Sequence, residues 1–187
     1  MNIYSTEERG VLLQAAHDAI EYGLQHQDEM HLGDISALPE SLQQKRATFI
    51  TLNVGEQLRG CIGSLEAYQP LIEDVAHNAF AAAFRDPRFP PLTKEEFAQV
   101  SIHISVLSEP VLMEFTSEED LVQQLRPNVD GLILSEGMHK GTFLPAVWDS
   151  LSDPKQFLSH LKMKAGLPTD YWSDTLTVER YTAETIE

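Results

Sequence analysis

A chain of 187 residues can bury a core as one domain or as two intimately packed halves, and is too short for several independent domains. Asp and Glu number 29 against 13 Lys and Arg, and the formal charge of −16 opposes unaided attraction to nucleic acid or anionic membrane. The lone cysteine, Cys61, excludes an internal disulfide and any zinc site built on several thiolates, and fits a reducing cytosol. Met1 to Glu8 lack the basic-then-apolar pattern of a secretory signal and no apolar run reaches the length of a membrane span, so a cytoplasmic protein is expected.

Ser5 with Glu8 fits a capping box, and Leu12, Leu13, Ala16, Ala19, Ile20 and Leu24 follow at helical spacing. Gly33 to Lys45 is polar, carries Pro39, and reads as a loop or short helix before a strand over Ala47 to Val54. Gly55-Glu56-Gln57 turns the chain, and the segment around Arg59 returns as the second arm of a hairpin. Pro70 opens a helix through Val75, Ala79 and Ala83 that Asp86-Pro87 ends. Thr93 with Glu96 forms another capping box, after which Val100, Ile102, Ile104 and Val106 alternate as a strand, with His103 on its other face.

Ser117 begins a helix through Leu121, Val122 and Leu125. Gly131 to Glu136 and Gly141 to Ala146 predict a second hairpin around Gly137-Met138-His139-Lys140. Asp153-Pro154 opens a helix to a Gly166 stop, Thr169 to Trp172 is read as a short, helix-like stretch, and Leu176 to Tyr181 closes as a strand. Ala47 to Leu107 and Asp130 to Tyr181 thus share one order of hairpin, proline-opened helix and strand, which predicts an internal duplication within a single domain. Gly60-Cys61 and Gly141-Thr142 then occupy related positions, and the two units can share one curved sheet with helices outside.

The chemistry concentrates in Leu58-Arg-Gly-Cys-Ile-Gly63. Plain alternation along a strand points Arg59 and Cys61 the same way, so that a guanidinium favours thiolate, while Gly60 and Gly63 admit another backbone or a ligand. Two readings compete for Cys61, a nucleophile or redox thiol and a small buried residue in a tight turn. A catalytic cysteine needs a base, and His77, His103 and His139 are the candidates, with His103 favoured because it sits on a strand. Arg85, Asp86 and Arg88 form a charged knot around Pro87 that can clamp a carboxylate or phosphate, or can pair internally with the chain's many acids. An anionic small molecule is the ligand class this knot suggests. No Gly-rich loop has phosphate-cradle spacing, and Trp148 and Trp172 read as core residues. His26 and His31 flank acids in a polar loop, where a solvated loop outweighs a weak metal site, so no metal is expected.

Arg59-Gly-Cys-Ile-Gly63, Ala81 to Phe89 ahead of Pro91-Leu92, Ile104 to Ser108, Asp130 to Leu134, Leu144 to Trp148, Phe157-Leu158 and Lys164 to Leu167 together resemble the AMMECR domain family, known in bacteria and archaea as AmmeMemoRadiSam system protein A. The resemblance implies an α+β fold with two repeated strand and helix units around one barrel-like, mostly antiparallel sheet, helices outside. It implies company with Memo-like proteins and radical-SAM proteins, and it supplies no reaction. Ala146 stands where a polar residue, often Gln, precedes the Val-Trp pair in the family. Two functions follow: a ligand- or partner-binding module centred on Arg59 to Gly63, or an enzyme in which Cys61 attacks an anionic substrate bound among Arg59, Gly60, Gly63, Arg85, Asp86, Arg88 and His103, the glycine amides steadying an oxyanion.

Overall fold

The computed structural model describes residues 3–187; Met1 and Asn2, part of the N-terminal reading above, lie outside them. The chain divides into two compact units, one ending at Leu107 and taking in Glu184–Glu187, the other Ser108–Ala183. In chain order the first unit holds α1 (Thr6–His26), α2 (Glu40–Gln43), β1 (Thr48–Val54), β2 (Gln57–Gly63), α3 (Leu71–Phe84), α4 (Lys94–Phe97) and β3 (Val100–Leu107). The second holds β4 (Val111–Leu112), α5 (Glu118–Gln124), β5 (Gly131–Glu136), β6 (His139–Phe143), a 3-10 turn at Pro145–Asp149, α6 (Pro154–Lys164) and β7 (Thr177–Tyr181). The last strand, β8 (Ala183–Ile186), belongs to the sheet of the first unit. Among the described residues no helix is long and apolar enough to cross a membrane.

Both capping boxes form. Ser5 Oγ accepts the Glu8 N–H at 3.2 Å while the Glu8 carboxylate accepts the Ser5 N–H at 2.7 Å, and Thr93 and Glu96 make the same exchange at the start of α4. α1 and α3 bury their small and apolar stripes, including Leu12, Ala16, Ile20, Leu71, Val75 and Ala79, in one core with Ile50, Leu52 and Ile104. The second unit has its own core, in which Trp148 stacks on Phe157 at 3.7 Å between ring centres and donates its indole N–H to Asp130 O at 2.7 Å.

The strands form two antiparallel four-stranded sheets in the orders β2-β1-β3-β8 and β4-β7-β5-β6, and among the described residues no closed barrel is found. In each sheet the second arm of a hairpin lies outside the first arm, which pairs on its other side with the strand that follows the helix. The second hairpin is tighter than the predicted four-residue connection: Glu136 faces His139 across Gly137 (φ +56°), so His139 and Lys140 are already in β6, and Pro145 diverts the chain into the 3-10 turn. Thr169–Trp172 is not helical, a correction to the expectation; Lys162 Nζ takes the Thr169 carbonyl at 3.3 Å instead. β4 and β8 are too short and irregular in pattern to be seen in the sequence.

Candidate functional site

β1 alternates cleanly, with Thr48, Ile50 and Leu52 buried on the α3 side and Phe49, Thr51 and Asn53 less buried on the other. β2 does not. Leu52 faces Gly60 but Asn53 faces Leu58, so Arg59 is the extra residue of a β-bulge and the simple alternation that sets its side chain beside the thiol fails there. The bulge adjoins a close approach of α3. A methyl group at Gly60 would stand 2.1 Å from Ala82 O, and one at Gly63 would stand 2.3 Å from the Phe49 ring and 2.4 Å from Thr48 O. Both glycines are therefore in contact with protein atoms, Gly60 with the helix backbone itself.

Cys61 is held by its main chain. Its N–H donates to Asp86 Oδ2 at 2.9 Å and its carbonyl accepts from Arg88 Nη2 at 3.3 Å. Asp86 is buried, and Arg88 donates to it from Nε at 3.0 Å, from Nη2 at 2.7 Å and from its backbone N–H at 3.1 Å. The Arg88 hydrogen bonds, with the Cys61 N–H behind them, hold the Asp86 carboxyl far below the usual carboxylate range despite burial.

Arg59 turns the other way and is itself 8% exposed. It grips Glu96 with two bonds, Nε to Oε1 at 2.7 Å and Nη2 to Oε2 at 2.9 Å, and Nη2 also donates to Pro90 O at 2.9 Å. Among the described residues its Nη1 is buried with no hydrogen-bond partner. The half-buried Phe89 ring lies 5.7 Å from the Arg59 guanidinium carbon and 5.5 Å from that of Arg88. Arg85 pairs with Glu29 at 3.3 Å and lies over the Phe80 ring at 4.8 Å. Each of the three arginines singled out in the sequence thus has a carboxylate against it.

Glu96 is drawn down to about 2, first by Arg59 and then by the Thr93 N–H. A carboxyl depressed in the folded state contributes stability that is complete above its unfolded value and is lost as pH falls through its folded value. The unfolding midpoint is therefore expected to drop as pH is lowered from about 4.5 toward about 2, and Glu96→Gln to remove part of that slope. Thermal unfolding followed across this range checks it; an identical slope in the variant would refute the pairing as its source.

On the face of the sheet away from α3, Thr51 pairs with Cys61 on one side and with His103 on the other. Thr51 Oγ1 is 3.3 Å from Cys61 Sγ, and His103 Nδ1 is 2.8 Å from Glu187 Oε2. The other two histidine candidates have different partners: His77 bonds to Glu29, and His139 Nδ1 lies 3.1 Å from Ala165 O.

Sequence reasoning passed over Asp74 and Lys162, both fully buried. Asp74 accepts from Thr48 N–H and Oγ1 at 2.9 and 2.7 Å, Asn78 Nδ2 at 3.0 Å, Gln69 Nε2 at 2.9 Å and Ser64 Oγ at 3.2 Å, tying α3 to both ends of the hairpin. The signal was legible: Asp74 and Asn78 recur four apart on the face that otherwise carries Leu71, Val75 and Ala79. Lys162 meets Glu118 at 2.9 Å under Trp172. Among the described residues His17, Asp18 and Glu21, on α1, bring metal-type ligand atoms within 4.8 Å of one another; His26 and His31 are not in that group.

The AMMECR1 family model matches residues 13–186. A protein of Methanothermobacter thermautotrophicus is 39% identical over 186 residues, covering 96% of this chain and 94% of its own length. Protein MJ0810 of Methanocaldococcus jannaschii is 37% identical over 161 residues, 82% of this chain and 78% of its own. Among solved structures, the uncharacterized protein PH0010 from Pyrococcus horikoshii superimposes with a TM-score of 0.84 at 35% identity, covering 93% of this chain and 88% of that one.

Proposed function

Because the chain belongs to the AMMECR1 family, we propose that it is a cytosolic binding module whose Arg59 to Gly63 segment presents a ligand or partner surface to a Memo-like protein and a radical-SAM protein. The observation that supports this reading is the orphaned Arg59 Nη1. The three arginines of the site each meet a carboxylate within the chain: Arg59 meets Glu96, Arg88 meets Asp86 and Arg85 meets Glu29. What remains is one buried donor without an acceptor, and such groups are seldom left unmet in a finished assembly. An incoming carboxylate, phosphate or main-chain carbonyl oxygen would satisfy it. Reaching Nη1 requires a neighbour to yield, and the half-buried Phe89 ring, 5.7 Å from the guanidinium carbon, is one of those neighbours.

Titration of the purified chain with a Memo-like protein and with a radical-SAM protein, followed by calorimetry, tests the reading. Saturable binding is expected with at least one of them, unchanged in Cys61→Ser and weakened roughly tenfold in Arg59→Lys, since an ammonium cannot hold Glu96 with two bonds and still offer a further fork. Absence of a complex with both would sink the proposal.

A further inference from the structure

The C-terminal ends of α1 and α3 frame a cavity of about 510 Å³, walled by Leu24, Phe80, Phe84 and Pro91, with Gln27 and Arg85 as polar groups on its lining. Small-ligand sites span about 300–1,000 Å³, and their walls are likewise mostly apolar with a few polar groups. The walls are held in place. A methyl at Gly23 would stand 2.4 Å from the Phe84 ring and 2.8 Å from the Phe80 ring, so both rings lie against bare α1 backbone. The segment carrying Pro91 is fastened to α3 by the Leu92 N–H, which donates to Ala83 O at 2.9 Å. We propose that this cavity binds a small amphipathic monocarboxylate, its hydrocarbon against Leu24, Phe84 and Pro91 and its carboxylate on Arg85, with the Gln27 amide beside it.

Arg85 supplies the charge. Its guanidinium carbon lies 4.8 Å over the Phe80 ring, and among the described residues the guanidinium makes one hydrogen bond, from Nη1 to Glu29 Oε2 at 3.3 Å. Glu29 is shared, since His77 meets its other oxygen. The Nε and Nη2 edge of Arg85 is left without a protein acceptor, and such an edge receives a carboxylate through two parallel bonds. Gln27 is a second, independent sign. It holds φ +56° just past the end of α1, a conformation that glycine adopts at less cost, and among the described residues its side-chain amide has no hydrogen-bond partner. Backbone strain of this kind gathers at ligand sites, and here it falls on a residue that borders the cavity. Charge balance selects the ligand class. One guanidinium already beside Glu29, in a chain of formal charge −16, can match a single carboxylate but would leave a phosphate dianion underpaired, and a cationic ligand would meet Arg85 as a like charge.

The site uses neither Arg59 nor Cys61, so it goes beyond the binding-module reading and does not rest on it. The probes are octanoate and 1-octanol, one hydrocarbon chain with and without the charge, titrated into the isotope-labelled full chain and followed by amide NMR shifts. Octanoate is expected to bind saturably, to shift the amides of Gly23 to Gln27, Phe84, Arg85 and Leu92, and to bind about tenfold more tightly than octanol. Arg85→Gln should bring octanoate down to the octanol affinity and leave octanol unmoved. Gln27→Gly should raise the unfolding midpoint by relieving the left-handed strain and yet weaken octanoate, a pair of effects that a purely structural Gln27 would not give. Leu24→Trp, which fills the cavity, should weaken both probes; if it fails to fold, Arg85→Gln and Gln27→Gly, both at exposed positions, decide the matter. No saturable octanoate binding, shifts centred elsewhere in the chain, or an octanoate affinity indifferent to Arg85→Gln would overturn the proposal.

Discussion

Gly60→Ala is expected to destabilise the protein by about 3 kcal/mol or more, lowering the unfolding midpoint by on the order of 10 °C. The methyl would sit 2.1 Å from Ala82 O, and the atom it meets is main chain in the last turn of α3, not the free end of a side chain that can swing aside. α3 would have to lift from β2, and Leu52, Ile50 and Val75 beneath it would lose packing. Gly141→Ala is the control. There the nearest atoms belong to Ala165, at 3.0 to 3.2 Å, just past the end of α6, so a few tenths of an ångström of yielding suffice and the loss should be well under half as large. Equal midpoints for the two variants in a thermal melt would show that the close approach at Gly60 carries no special penalty.

Asp74→Ala is expected to remove about 4 kcal/mol, the range in which breaking a buried charged network falls. The carboxylate gathers donors from Thr48, Asn78, Gln69 and Ser64, and among the described residues no cation is a hydrogen-bond partner. Without it the Thr48 N–H and hydroxyl are left in a fully buried position with their acceptor gone. Asp74→Asn keeps the shape but turns one acceptor into a donor aimed at other donors, so it should rescue only part of the loss. Urea unfolding of the three proteins checks the order; Asp74→Asn matching the wild type would mean that shape alone, and not acceptor chemistry, joins α3 to the hairpin.

The hairpins, the capped helices and the inward faces of β1 and β3 were legible because each is governed by neighbours in sequence: Ser5 with Glu8, Thr93 with Glu96, Gly55 at the turn after the alternating run of β1. The family was legible from Arg59-Gly-Cys-Ile-Gly63 and the stretches that accompany it. The bulge at Arg59 was not, since it follows from how β2 pairs with β1 while α3 presses on Gly60, a tertiary event with no local signature. That one slip redirects Arg59 to Glu96 and leaves Arg88, distant by 27 residues, as the guanidinium on Cys61. His103 was placed on the outer face of its strand by alternation, but that Thr51 would stand between it and Cys61 depends on the register of three strands.

The pairing of Asp86 and Arg88 with the Cys61 main chain bears on the exposed edge of the first sheet. β2 is the terminal strand of its sheet, and the outward N–H and C=O of such a strand are a template onto which another chain can add. At Cys61 a carboxylate receives that N–H and a guanidinium meets that C=O, so two side chains imitate the donor and acceptor of an absent neighbouring strand. With the exposed Leu58 nearby, an unguarded β2 would invite aggregation through sheet extension; the ion pair obstructs that route at Cys61.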